Sequence, residues 1–268
     1  MIKLKSLTSQ LIAVNVVIFI IASLIISYNN SFIDYFALKP AFLFQGKYLW
    51  TILTSMFMHA SFSHLFFNMF SLFFIGSFLE RIIGKKRFLW FYLISGIFAG
   101  LFFSVLSFFF GTGFLEKVFS NPDTMAVGAS GALFGLLGIL AIIIPNKKVY
   151  LIAGPLVAII IQAIIGNLTG NNIILSAINL LSTIYIFLCI VLMFSPFAET
   201  RKIILPLEMP FSILPIIAIV PLIIVGLFIE LPIGNMAHLG GLLAGLVYGW
   251  YLRNKYKKKV YMLNRMIR

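Results

Sequence analysis

Apolar runs long enough to cross a lipid bilayer recur along this chain, and nothing else in it constrains the fold as strongly. A helix rises 1.5 Å per residue, so about 20 apolar residues span a hydrocarbon core of roughly 30 Å. Inside lipid the backbone must satisfy its own hydrogen bonds, which leaves helices or closed barrels. Eight runs meet this rule, at 9–26, 58–79, 88–110, 126–144, 149–165, 173–194, 211–229 and 235–252. Composition agrees: 62% of residues are hydrophobic and 10% charged, against roughly 45–50% and 25% in soluble domains. The expected fold class is all-α, a polytopic membrane helix bundle.

The first run resembles a signal peptide, since 11–27 follows Lys3 and Lys5, but it lacks a small-x-small cleavage site and reads as a retained span. The longest polar stretches are a loop at 28–48 and a basic tail from Arg253, so no soluble domain is expected and 1–268 reads as one integral membrane domain. Between the fifth and sixth runs, Gly-Asn-Leu-Thr-Gly-Asn-Asn at 166–172 is either a tight outer hairpin or the break in a re-entrant pair.

Loop charge tests the span count independently, because cytoplasmic loops are rich in Lys and Arg. With the N-terminus inside, all of the 20 Lys and Arg except Lys39, Lys47 and Lys117 fall on the inner side. Counting the doubtful pair as one span would move Arg201, Lys202 and the tail outside and erase the asymmetry. Both termini are therefore expected in the cytoplasm, in a multi-pass protein of the cell membrane. The net charge of +13 is explained by these short loops, and nucleic acid is not an expected partner. The single cysteine, Cys189, lies in an apolar run and excludes an intrachain disulfide.

This topology puts the chain's rare polar side chains in one layer. The runs beginning at 58, 126 and 235 all enter from the outer side, and their first turns carry His59, His64, Asn68, Ser130 and His238. All three histidines are among them. A serine hydroxyl attacks a carbonyl only when a base takes its proton, and histidine is the commonest base. Ser130 and His238 offer that pairing at matched depth. Gly241, Gly245 and Gly249 recur every four residues beyond His238, and Gly131, Gly135 and Gly138 line the other helix, so close approach is expected. Taken alone, a serine among glycines is more often helix packing than chemistry. The histidine at the same depth shifts that balance.

Acyl transfer also needs donors for an oxyanion. His64 and Asn68 are four apart and share a helical face, and the Ser130 backbone N–H near a helix N-terminus is a further donor. His59 lies about 140° round an ideal helix from His64 and is expected to support the start of the helix by bonding loop backbone. Three histidines also raise a metal site, but the H-E-x-x-H spacing is absent and no acidic residue lies within 59–68, so no metal is expected. Asp34, Asp123 and Glu230 are outer-side carboxylates without a motif placing them behind His238, which favours a dyad over a triad. The G-x-S-x-G elbow of soluble hydrolases is absent, Ala132 standing where its second glycine would be.

His59-x4-His64-x3-Asn68, Gly128-Ala129-Ser130-Gly131 and Ala237-His238-x2-Gly241-x3-Gly245 together resemble the rhomboid family of intramembrane serine proteases, over 48–145 and 234–250. The resemblance implies Ser130 as nucleophile, His238 as base, and His64 and Asn68 as oxyanion donors. It also implies cleavage of single-span membrane proteins near their outer end, with no cofactor. His59, Gly128, Gly131, Phe134 and Gly241 take supporting places. Three departures stand out. Thr51 follows Trp50 where the family often has Arg, and Phe134 stands where some members have Tyr. The family's six-span core has one span between the serine and histidine helices, whereas three are counted here, so 146–210 is expected to hold a two-span insertion.

Two other function classes remain open on the sequence. An inactive rhomboid-like protein that binds transmembrane helices would not need both Ser130 and His238. A transporter would place its polar residues near the bilayer midplane, whereas these cluster toward one face.

Overall fold

A computed structural model describes residues 6–167, 173–193, 203, 206–228 and 234–266. All eight apolar runs contain helix. In chain order these are α1 (Leu7–Tyr28), α2 (Phe62–Ile83), α3 (Lys85–Phe110), α4 (Ser130–Ile143), α5 (Ala153–Asn167), α6 (Ile173–Met193), α7 (Leu214–Gly226) and α8 (Asn235–Lys255). A further helix, α9 (Lys257–Met266), forms from the basic tail. Among the described residues, α1, α2, α3 and α6 are each long and apolar enough to cross a membrane.

Helix α4 is shorter than its apolar run. Its 14 residues make about 21 Å, less than a bilayer's hydrocarbon thickness. The run was expected to be helical from 126, but Ala126 is extended and pairs with Leu38: the Leu38 N–H donates to the Ala126 carbonyl at 3.0 Å, and the Leu38 carbonyl accepts from the Ala126 N–H at 2.8 Å. The shortness is accommodated by position: eleven of the fourteen residues are buried, so protein rather than lipid surrounds most of this helix. Helices α3 and α8 flank it, and every small residue on its stripe meets one of them. A Cβ on Gly135 would sit 2.7 Å from the Ser95 side chain, and one on Gly138 2.7 Å from the Leu242 carbonyl.

Helix α2 also starts later than the run beginning at 58. The Ser61 hydroxyl caps it by accepting from the His64 N–H at 3.1 Å, a strong stop for extension toward the N-terminus. Midway, Leu72–Gly76 forms a π-helical turn, a bulge that re-aims the helix without breaking it. At its C-terminal end Glu80, 7% exposed, accepts from the backbone N–H groups of Leu7 and Thr8 and from the Thr8 hydroxyl, at 3.0, 2.9 and 2.7 Å. The carboxylate thus caps the first turn of α1, where unpaired N–H groups favour negative charge.

After α4 the chain does not enter a helix at 149, as the apolar run suggested. Lys148–Ile152 forms strand β1, which pairs antiparallel with β2, Pro206–Pro210, Lys148 facing Pro210 and Ile152 facing Pro206. This ribbon returns the chain to within one strand spacing of where it left, and α7 then resumes beside α4 and α8. Helices α5 and α6 lie beyond the ribbon and pack on each other, the Gln162 amide donating to the Asn179 carbonyl at 3.2 Å and the Thr183 hydroxyl at 2.8 Å. The stretch 168–172, read as either an outer hairpin or a re-entrant break, lies outside the described residues, as does Glu230.

Candidate active site

Ser130 is the first residue of α4, preceded by Ala129 and Gly128. Gly128 has φ +122°, a conformation open to glycine and strained for other residues. Its N–H donates to the Ser55 carbonyl at 2.9 Å, which ties the approach of the serine to the turn before α2. Among the described residues no side chain caps this end of α4, and the serine hydroxyl turns toward α8.

His238 lies in the first turn of α8, and its Nε2 is 2.8 Å from the Ser130 Oγ. The contact depends on glycines one turn further in. A Cβ on Gly241 would fall on the Gly131 carbonyl oxygen, and a Cβ on Gly245 on that of Gly135. The two backbones are in direct contact, so side chains at the helix ends meet at hydrogen-bond range. Phe134, one turn along α4 from Ser130, stacks on the imidazole with ring centres 4.5 Å apart and planes 22° from parallel. That packing narrows the ring's choice of orientation. The other ring nitrogen, Nδ1, is buried with no hydrogen-bond partner among the described residues. Asp123 instead pairs with Lys39 at 3.3 Å.

His64 and Asn68 approach from α2. A Cβ on Gly128 would lie 2.8 Å from the His64 Nε2 and 3.8 Å from the Ser130 Oγ. The His64 ring therefore occupies the space that the absent side chain leaves, beside the serine. Asn68 is buried and donates one amide hydrogen to the His64 carbonyl at 2.9 Å, within its own helix. Its second hydrogen is uncommitted by that bond, and its Oδ1 is buried with no hydrogen-bond partner among the described residues. His59 precedes the helix, as expected, and is buried beside the Phe57 backbone, with its ring edge-on to His64 at 5.2 Å.

The geometry draws in residues that sequence reasoning passed over. Ser55 holds Gly128, and Ala99 backs Gly131, where a Cβ would come 2.7 Å from the Ala99 methyl. Neither carries a motif; only contacts between distant segments identify them. Among the described residues no group of three or more His, Cys, Asp or Glu could hold a metal ion.

Comparison with protein families matches the rhomboid domain over residues 46–184 and 181–255. Among curated proteins, a putative rhomboid protease of Bacillus subtilis, YdcA, is 39% identical over 90 residues, covering 34% of this chain and 39% of that protein. Rhomboid protease GluP of the same organism is 32% identical over 124 residues, covering 46% of this chain and 21% of its own length. RHOMBOID-like protein 6, mitochondrial, of Arabidopsis thaliana is 39% identical over 107 residues, covering 40% of this chain and 30% of that protein. The chain thus spans between a fifth and two fifths of these relatives.

Proposed function

Because this chain belongs to the rhomboid family and is an integral membrane protein, we propose that it is an intramembrane serine endopeptidase working through a Ser130–His238 dyad. The observation that carries this reading is the 2.8 Å separation of His238 Nε2 and Ser130 Oγ, held by backbone contact between their helices. Rhomboid proteases act on transmembrane substrates within the bilayer, and a single-span protein cut near its outer end is the substrate class assigned here.

In this reading the Ser130 Oγ adds to the scissile carbonyl carbon while its proton passes to His238 Nε2. The oxyanion that forms is met by the Ser130 N–H at the start of α4, by His64 and by the uncommitted amide hydrogen of Asn68. Collapse expels the amine with the proton from His238, leaving an acyl-serine. Water then adds to the acyl carbon, giving its proton to His238, and the carboxylate product leaves as Ser130 is regenerated. Phe134 holds the imidazole plane through both steps. A helical peptide bond is shielded by its own hydrogen bonds, so substrates that unwind readily near small residues are favoured.

The test is purified protein with a labelled single-span substrate, comparing the native chain, Ser130→Ala, His238→Ala and a chelator control. Both substitutions are expected to lower cleavage by at least about 10³-fold, the scale of losing a nucleophile or its base. Cleavage that survives Ser130→Ala removes the dyad, and chelator sensitivity restores a metal mechanism. A native chain that binds the substrate and leaves it whole is instead a helix-binding relative.

A further inference from the structure

At the end of the bundle opposite the dyad, a cleft of about 690 Å³ lies between the chain leaving α4 and the helix α9, lined by Ile144, Asn146, Lys147, Lys148, Tyr261, Asn264 and Arg265. Three of these seven are cationic and three more carry hydrogen-bonding groups, and Glu208 pairs with Lys148 at 3.3 Å. The wall on the α9 side is a built feature. Asn264 donates to the Ile143 carbonyl at 2.7 Å and to the Val260 carbonyl at 2.8 Å, so it caps the last turn of α4 while holding α9 in place. Val260 and Leu263 pack on the core from the same helix, and Tyr261, Met262 and Met266 are exposed. The cleft therefore joins a cationic floor to an apolar flank.

We propose that this cleft binds one phosphate-bearing headgroup, that of an anionic phospholipid whose acyl chains lie along the apolar side of α9. Charge and shape both point to this ligand. A phosphodiester accepts from Lys147, Lys148 and Arg265 together, the arrangement in which charge-assisted bonds are strongest. Basic pockets beside membrane helices on the inner side suit such headgroups, and an amphipathic helix with a basic face lies naturally in the plane where they are found. The cleft is also within the size range of small-molecule sites, larger than an unattached phosphate requires. The proposal needs only the membrane bundle and is independent of the catalytic reading, so it holds equally for a Ser130→Ala chain.

The experiment is native mass spectrometry of the full chain in neutral detergent, titrated with phosphatidylglycerol, with phosphatidylcholine, and with inorganic phosphate as competitor. One saturable phosphatidylglycerol adduct is expected, with phosphatidylcholine bound at least about tenfold more weakly because its headgroup carries no net charge. Lys147→Gln/Lys148→Gln/Arg265→Gln is expected to lose that adduct by at least about tenfold, with unchanged thermal unfolding showing that the bundle is intact. Lys257→Gln/Lys258→Gln/Lys259→Gln, outside the cleft, is expected to retain it. Equal binding by the cleft variant, or loss only in the tail variant, overturns the site in favour of diffuse attraction. Displacement of the lipid by millimolar phosphate overturns the lipid assignment and makes a soluble anion the ligand.

Discussion

Gly241 of α8 rests against the carbonyl of Gly131 in α4, one turn inward from the 2.8 Å contact between His238 and Ser130. The helices cannot separate at the glycines without separating at the dyad. Approach of this kind is set by backbone, and backbone cannot move aside as a flexible side chain can.

Gly241→Ala is expected to retain the fold and lose most of the activity. Its Cβ would fall on the Gly131 oxygen, so the helices must part, at a cost of about 1–3 kcal/mol, the range typical of overpacking. A displacement of about 1 Å at the reacting atoms lowers the rate on the order of 10²-fold. Single-turnover cleavage alongside thermal unfolding separates the two effects. Native-level cleavage would show that the contact between these helices does not set the dyad geometry.

Gly128→Ala is expected to affect His64 first. The residue holds φ +122°, which strains an alanine by about 1–3 kcal/mol, and the added methyl would meet the His64 ring. With His64 displaced, the proposed oxyanion donor is withdrawn, and kcat is expected to fall about 10²–10³-fold with KM little changed. A change confined to KM would instead assign Gly128 to substrate binding.

Glu80→Ala is expected to loosen α1 without touching the dyad. Three hydrogen bonds to a buried carboxylate are lost, and each bond of this class contributes about 1.5–3 kcal/mol. Unfolding in detergent should shift to lower temperature, with proteolytic nicking near Leu7. Glu80→Gln keeps the shape and one acceptor oxygen, so an intermediate shift is the outcome that supports a capping role. Equal loss in both variants would point to the charge alone.

Much of the site was legible because each part of it is local in the chain. His64 and Asn68 share a face by spacing, and the glycines beyond His238 recur at four-residue intervals. What escaped was the partner of each group. No pattern within α2 announces that Glu80 caps α1, and nothing around Ser55 announces that its carbonyl holds Gly128. His59 shows the same limit, since its place before the helix was readable while its neighbour was not. The start of α4 was misjudged for a related reason: hydrophobicity continues from 126 to 144, yet the pairing of Ala126 with Leu38 takes the first residues out of the helix.

By itself, the sequence determined that this chain is a bundle of membrane helices with its three histidines at or just before helix starts. The reason is that the cost of burying backbone and charge in lipid is read residue by residue. Tertiary structure alone decided that a helix too short to span sits enclosed at the centre, that a two-stranded ribbon closes off α5 and α6, and that the basic tail folds back onto Ile143. Those outcomes depend on hydrogen bonds and close contacts between segments far apart in the chain, and no local periodicity encodes them.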